Sequence, residues 1–127
     1  MWTYSQSSGE LTYEGNRIAT GYSGHGAGRD NPDLQNVHDV GPCPRGRFRM
    51  EVITDEFGNW IDYEHKKAPV LRLIPQEGTE MYGRAGMLIH GDSVSEPGTA
   101  SLGCIVQSHW ARVKIAESND MDLAVTI

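Results

Sequence analysis

The sequence predicts a mainly β domain with one short helix near its C-terminal end. Two observations support this fold class. Short apolar runs recur along the chain, and most of the fifteen glycines and six prolines lie between those runs. Many short strands separated by such turns are typical of a sandwich or a barrel. Because 127 residues suffice for one hydrophobic core but not for two ordinary domains, residues 1–127 are expected to form one domain.

The N-terminal segment is predicted to be a meander of three short strands. Its runs of apolar and aromatic residues are Trp2–Tyr4, Leu11–Tyr13 and Arg17–Tyr22. The polar sequences Ser7–Gly9 and Glu14–Asn16 separate these runs and have the composition of turns. We therefore expect consecutive strands to pair as hairpins.

The segment from Ser23 to Arg45 has no apolar periodicity and is predicted to be a long loop. Glycine, asparagine and proline recur throughout it. Loops of this length are uncommon in compact domains and are often functional, although a solvated connector is an equally good interpretation. Within the segment, Cys43 lies between Pro42 and Pro44. It is expected to be a small, half-buried side chain in a rigid turn.

The rest of the chain predicts four strands and the polar hairpin Asp55–Lys67. The predicted strands are Phe48–Ile53, Val70–Ile74, Gly86–His90 and Leu123–Ile127. The third of these is short and apolar, and it delivers His90 at its C-terminal end.

The best helix candidate runs from Ser108 to Glu117. Ser108 is a favourable N-cap because its hydroxyl can accept a hydrogen bond from a backbone N–H in the first turn. An apolar stripe at helical spacing is predicted to face the core, formed by Trp110, Val113 and either Ile115 or Ala116.

The charge balance argues against nucleic acid and anionic membranes as partners. The formal net charge is −6 and the pI is near 5.2. The basic residues are scattered, and the one dense group, Arg45–Arg49, is interpreted as the basic edge of a strand rather than an anion site. No apolar run approaches about 18 residues, so no membrane insertion is expected. Met1–Gln6 carries no Sec-type signal, so the protein is expected to be made in the cytoplasm without one.

The strongest chemical signal is an imidazole and a thiol, each flanked by glycine. His90-Gly91 ends an apolar run, and Cys104 follows Gly103 after a small, polar loop. A neighbouring imidazole commonly activates a cysteine as a nucleophile, so the pair is a candidate acyl-transfer site. Taken singly, each residue also has an ordinary interpretation, as an inert core cysteine and a strand-end histidine.

Four further residues are candidates for orienting His90 or holding an oxyanion. The carbonyl of Gly91 or the carboxylate of Asp92 would fix the tautomer of the ring, and the carbonyl is preferred because Asp92 suits a turn-capping role. The amides of Gly103 and Cys104 are the simplest pair of oxyanion donors. Ser101 completes the set of candidates.

A metal site is a weaker alternative. Five histidines and two cysteines are present, but none shows the close spacing of a zinc motif. No metal and no cofactor are therefore expected. The glycine-rich Gly24–Gly28 lacks the strand–helix context of a phosphate loop. A disulfide between Cys43 and Cys104 is weakly supported, because no signal directs the chain to an oxidising compartment.

At His90-Gly91 and Ser101-Leu102-Gly103-Cys104-Ile105 the chain resembles the L,D-transpeptidase catalytic domain. That family carries an apolar strand ending in His-Gly and, after a loop, Ser/Thr-His-Gly-Cys. Its general base maps to His90 and its nucleophile to Cys104. The chain departs from the pattern at Leu102, where the family usually has histidine, and its intervening loop is short.

A divergent branch, the toxins of the type VI secretion system, is more similar over nearly the whole chain. Those proteins carry Ser-Leu-Gly-Cys-Ile, so Leu102 is expected there. The N-terminal half adds further matching segments in the same order: Trp2–Leu11, Gly21–Gly24, Asn31-Pro32 and Gly41–Gly46.

The resemblance implies an L,D-transpeptidase-like β-sandwich or barrel acting on the tetrapeptide stem of peptidoglycan. It implies release of the terminal D-Ala (L,D-carboxypeptidase) or its exchange for another D-amino acid, through a Cys104 thioacyl enzyme. The protein would be secreted, would act in the periplasm of a target bacterium, and would have an immunity protein as a possible partner. The loop after Tyr22 would form one wall of the cleft, with Tyr22 and Ser23 as candidate substrate-binding residues.

Two other functions remain open. A zinc-dependent peptidoglycan peptidase would use several of the histidines together with a cysteine. A non-enzymatic wall-binding or phage structural domain would keep the cysteine in its core.

Overall fold

The computed structural model describes residues 1–127 and consists of nine β-strands and one α-helix. The strands are β1 (Trp2–Ser5), β2 (Glu10–Tyr13), β3 (Asn16–Thr20), β4 (Tyr22–Ser23), β5 (Gly46–Val52), β6 (Leu71–Pro75), β7 (Leu88–His90), β8 (Ile105–Val106) and β9 (Asp122–Thr126). The helix α1 spans His109–Glu117. It is too short to traverse a bilayer, and no other helix approaches the required length. The predicted mainly β fold with one short helix is confirmed.

All nine strands belong to one curved, nearly closed sheet. The strand order is β3-β2-β1-β9-β5-β6-β7-β8-β4, so β3 and β4 form the two edges. These two edge strands are consecutive in the chain and only Gly21 connects them. The N–H of Gly21 donates to the carbonyl of Gly9 at 2.8 Å, near the start of β2. Such a short connection requires the sheet to curl until its edges meet, which produces the barrel-like shape.

The concave side of the sheet holds the main core. Fifteen buried residues form one apolar cluster, to which the central strands contribute alternate residues such as Phe48, Met50, Ile89 and Leu123. Burial of this apolar surface is the main stabilising contribution. A smaller cluster of Ile53, Val70 and Leu88 lies against Cys104. The Cys104 side chain is therefore partly buried, with apolar side chains on one side of it.

Two strand pairs are parallel, and one of them positions the candidate site. β1 pairs with β9, and β7 pairs with β8, whereas all other neighbours are antiparallel. In the β7–β8 pair, Ile89 is opposite Ile105 and His90 is opposite Val106. Continuing this register backwards sets Leu88 level with Cys104.

The helix begins as predicted but turns a different face to the core. The Ser108 hydroxyl accepts from the N–H of Ala111 at 3.2 Å, which confirms the N-cap. Of the predicted stripe, Ile115 is buried as expected, but Trp110 is 55% exposed, and Ala111 and Arg112 complete the buried face instead. An arginine replaces an apolar residue on the buried face because backbone carbonyls receive its N–H groups.

Several predicted elements differ in detail. The run Arg17–Tyr22 is not one strand, because the chain changes edges at Gly21. The segment Asp55–Lys67 forms two isolated bridges, Thr54–Trp60 and Tyr63–Lys66, rather than one hairpin. The predicted loop Ser23–Arg45 is mostly irregular but begins in β4 and contains two 3₁₀ turns. β8 was not predicted because two residues are too few for a periodic signal.

Candidate active site

His90 ends β7 with its ring oriented by the backbone of its own neighbour. The Nδ1–H donates a hydrogen bond to the carbonyl oxygen of Gly91 at 2.7 Å. The acceptor is therefore the carbonyl that the sequence favours and not the Asp92 carboxylate. This bond leaves Nε2 as the unprotonated nitrogen. Burial lowers the pKa of His90 below its usual 6.5, with the Gly91 bond opposing it and the charges of Lys66 and Arg112 adding to it. The ring is therefore a neutral base at pH 7.

Cys104 lies level with Leu88 on the neighbouring strand, and its sulfur accepts the backbone N–H of Leu88 at 3.3 Å. Burial raises the pKa of the thiol above its usual 9.0, and the Leu88 bond and the charges of Lys66 and Arg84 offset part of this increase. The resting residue is a thiol that has one donor already aimed at the sulfur. Deprotonation during attack would strengthen that bond, since hydrogen bonds to charged groups are the stronger ones.

His90 and Cys104 occupy the same face of the sheet, two residues out of register. Strand spacing and rise per residue place their Cα atoms roughly 8 Å apart on the diagonal. No hydrogen bond joins Nε2 and Sγ in this resting state, although long side chains reach each other across such a diagonal. Catalytic hydrogen bonds are often long before substrate binds, so the geometry suits a base and a nucleophile.

The turn before Cys104 has its polar groups fixed from several directions. Ser101 is buried, donates from its hydroxyl to the Cys104 carbonyl at 2.6 Å, and accepts the N–H groups of Gly24 and Gly103. The carbonyls of Leu102 and Gly103 accept from Arg84 and Ser23. The pairing of Gly103 and Cys104 as oxyanion donors is thereby corrected, because the Gly103 amide is already engaged by Ser101. The Cys104 amide has no protein acceptor and remains available.

Arg84 explains why position 103 is glycine. Its guanidinium is buried and donates to four carbonyls, those of Gln35, Gly41, Pro42 and Leu102. Gly103 has a φ of +143°, and a Cβ there would collide with Nη2 of Arg84. Because of this close approach, the Arg84 guanidinium hydrogen-bonds to carbonyls of both the long loop and the turn before Cys104, and it thereby holds the two together.

Asp92 and Tyr22 together anchor the loop between His90 and Cys104. Tyr22 donates from its hydroxyl to Asp92 at 2.6 Å and accepts the N–H of Ala100 at 2.8 Å. Asp92 also accepts from the N–H groups of Ser93 and Gly98. Burial alone would raise the pKa of Asp92, but these hydrogen bonds hold it below its usual value. Asp92 therefore caps a turn and does not touch the imidazole.

Ser23 lies beneath the site rather than on its surface. It is fully buried, donates to the Gly103 carbonyl at 2.9 Å and accepts the N–H of Cys43 at 2.8 Å. The expectation that Ser23 contacts substrate is corrected accordingly, because its hydroxyl has no access to solvent. Cys43 is likewise fully buried rather than half-buried, and both cysteines are free thiols.

Separate cavities adjoin the thiol and the imidazole. Cys104 lines one of about 250 Å³ together with Arg84, Met87 and Leu102. His90 lines another of about 570 Å³ that also contains Lys66 and Arg112. Tyr22 lines a third, of about 460 Å³, which shares Arg112. The long loop reaches the first cavity through His38 and Asp39.

His65, His90 and His109 line one cavity, and Cys104 lines another. Nowhere do three His, Cys, Asp or Glu side chains come together as a set of metal ligands. The geometry therefore offers no donor set for the zinc-dependent alternative.

Sequence reasoning missed three basic residues around the site, Lys66, Arg84 and Arg112. Lys66 follows the turn residues Glu64 and His65, both with positive φ. Its charge acts on both His90 and Cys104. No local pattern identifies Arg84 or Arg112, since most of their partners are backbone carbonyls at least 18 residues away in the chain.

The fold and these side chains define a mainly β domain in which a histidine ends one strand and a cysteine immediately precedes the neighbouring parallel strand. The chain belongs to the Tlde1 domain family, whose sequence model matches residues 17–126. This is a family of type VI secretion effectors, enzymes that act on peptidoglycan, and the suspected membership is confirmed. Searches of curated proteins and of solved structures found no match.

Proposed function

We propose that the protein is a cysteine-dependent acyltransferase acting on the tetrapeptide stem of peptidoglycan, as an L,D-carboxypeptidase, a D-amino-acid exchange enzyme, or both. The observation that carries this is the register of β7 and β8. It sets a thiol two residues from an imidazole whose tautomer leaves Nε2 free. Family membership supplies peptidoglycan as the substrate class.

The first half-reaction transfers the acyl group to sulfur. Nε2 of His90 takes the proton of the Cys104 thiol as the sulfur attacks the carbonyl that joins the third stem residue to D-Ala. A C–S bond forms and the oxyanion accepts from the Cys104 amide. The C–N bond then breaks, the leaving D-Ala amine takes the proton from His90, and a thioester remains.

The second half-reaction returns the thiol. His90 removes a proton from the acceptor as it attacks the thioester, and the C–S bond breaks with that proton passing to sulfur. Water as acceptor gives a tripeptide stem, and a D-amino acid gives an exchanged tetrapeptide. Loss of donor stems would weaken a target cell's wall from the periplasm, where an immunity protein would have to block the cleft.

The decisive experiment is digestion of purified tetrapeptide muropeptides, with and without added D-amino acid, followed by mass spectrometry. Cys104→Ala is expected to abolish both products. Cys43→Ala is the matched control, because Cys43 is a buried thiol with no place in the reaction, and activity is expected to persist in whatever fraction folds. Full activity of Cys104→Ala would overturn the proposal.

A further inference from the structure

Arg112 is a buried cation without an anionic partner. Its side chain is only 4% exposed, and no carboxylate lies within ion-pair distance. Buried charges in proteins are normally paired, since desolvating an unpaired charge is costly. Here three backbone carbonyls substitute for a carboxylate and hold the guanidinium in place.

Those carbonyls use only part of the donor capacity of the guanidinium. Nε donates to Gln107 at 3.1 Å, and Nη1 donates to Lys67 at 2.8 Å and to Pro69 at 2.7 Å. Nη2 donates to no protein acceptor, so both of its N–H groups remain available.

The free Nη2 lies beside His90, on the wall of the cavity that the imidazole lines. A methyl group placed on Gly91 would lie 2.7 Å from Nη2, so the guanidinium packs directly on the residue after His90. Arg112 and His90 line the same cavity of about 570 Å³. The other charged residues of that cavity are Glu64, Lys66, Lys67 and Asp92, with His65 and His109 as further titratable groups. Lys67 is paired with Asp62, and Asp92 is engaged by Tyr22, which leaves Arg112 and Lys66 as its cations without an ion-pair partner.

We propose that Arg112 binds the terminal carboxylate of the D-Ala leaving group and thereby makes the site selective for free C-terminal stems. The inference rests on the proposed function, because it needs His90 to protonate the D-Ala amine. In that residue the carboxylate carbon lies about 2.5 Å from the amine nitrogen. A base that protonates the amine therefore holds the carboxylate inside the cavity that His90 lines, where the free Nη2 of the fixed Arg112 guanidinium is a cationic donor on the wall. Arginine suits this role because its donors are fixed in a plane by the three carbonyls.

The test compares two substrates that differ only at the C-terminus, a tetrapeptide stem ending in D-Ala and the same stem ending in D-Ala amide. The wild-type protein is expected to process the free acid with a kcat/KM about 10–100-fold higher than that for the amide. This factor corresponds to the contribution of one hydrogen bond between charged groups. Arg112→Gln is expected to lower the free-acid rate to that of the amide, mainly through KM, without lowering the amide rate further. Lys114→Gln, an exposed charge on the same helix, is the matched control and should keep the discrimination.

Structural damage would give a different result, because a distorted site would lower kcat/KM for the free acid and for the amide by the same factor. Equal processing of acid and amide by the wild-type protein, or an equal loss on both in Arg112→Gln, would overturn the assignment.

Binding separates this inference from the proposed function. Calorimetric titration of Cys104→Ala with the two peptides is expected to show tighter binding of the free acid, and the difference should vanish in Cys104→Ala/Arg112→Gln. If no turnover depends on Cys104 but the acid still binds selectively through Arg112, the proposed function fails and the carboxylate subsite stands. If turnover depends on Cys104 but acid and amide bind equally, the subsite fails alone.

Discussion

The backbone N–H of Leu88 points at the sulfur of Cys104 across the parallel β7–β8 pair, at a distance of 3.3 Å. In a regular ladder that N–H would meet a carbonyl, but β8 begins only at Ile105, so a side chain takes its place. The thiol therefore has a hydrogen-bond donor before any substrate arrives. The thiol is thus positioned by a backbone group of β7, which any substitution of Leu88 other than proline retains.

The reactivity of the two thiols is expected to differ sharply. Because burial raises the pKa of Cys104 above 9.0, its iodoacetamide labelling should be slow at pH 7 and should continue to accelerate beyond pH 9. Burial raises the pKa of Cys43 further, and that thiol should react only after unfolding. Mass spectrometry of labelled peptides at a series of pH values measures both. A Cys104 rate that levels off below pH 8 would instead indicate a preformed thiolate–imidazolium pair.

The acid limb of the pH–rate profile reports His90. Its pKa lies below 6.5 in the folded protein, so the base is neutral above that value and is lost as pH falls through the lowered pKa. We expect kcat/KM to be flat from about pH 6.5 to 9 and to decline on the acid side. Lys66→Gln removes a charge that lowers the pKa of His90, so the acid limb should move to higher pH. An acid limb that stays in place in Lys66→Gln would contradict this electrostatic coupling.

Gly103→Ala should reduce activity much more than it reduces stability. The added Cβ meets Arg84, so the turn that carries Cys104 must shift, and a displacement near 1 Å costs about 100-fold in rate. Gly58→Ala is the matched control: Gly58 also has a positive φ, +84°, but has open space around it and lies in a remote turn. Gly58→Ala is expected to cost about 1–2 kcal/mol in urea denaturation from its positive φ alone, and Gly103→Ala should cost more because its Cβ also meets Arg84. Equal activities for the two variants would show that the contact with Arg84 does not position Cys104.

The corrected face of the helix can be checked by stability alone. Ile115→Ala removes a fully buried side chain and is expected to cost about 2–5 kcal/mol of unfolding free energy. Trp110→Ala removes a larger but half-exposed side chain that stacks with Lys114, and should cost less than about 1 kcal/mol. Urea denaturation of both variants measures the two losses of unfolding free energy and shows which side chain packs in the core. The reverse order would restore the apolar stripe that the sequence predicted.

Local patterns in the sequence predicted the strands that alternate over four or more residues, and the capped helix. They also selected His90 and Cys104 as the candidate pair, because glycine beside a reactive side chain is a local signal, and that assignment stays a prediction. What they missed depends on long-range packing. β8 is too short to have a period, and Arg112 replaces an apolar residue because its N–H groups donate to the nearby Gln107 carbonyl and to the distant carbonyls of Lys67 and Pro69. The buried position of Ser23 was missed for the same reason, since its hydroxyl donates to a carbonyl 80 residues away, whereas the Gly103 amide is engaged locally by Ser101.

The parallel pairing of β1 with β9 joins Trp2 to Leu123 and Ser5 to Thr126, so the first and last strands of the sheet in chain order lie side by side within it. β9 is also the only strand that connects β1 to β5. A nascent chain that has not yet reached Leu123 already contains His90 and Cys104, but β5 to β8 then have no hydrogen-bonded neighbour on the β9 side. Such non-local pairing is formed late and slowly. Formation of the proposed site therefore depends on β9, and synthesis of the segment that carries His90 and Cys104 is not sufficient for it.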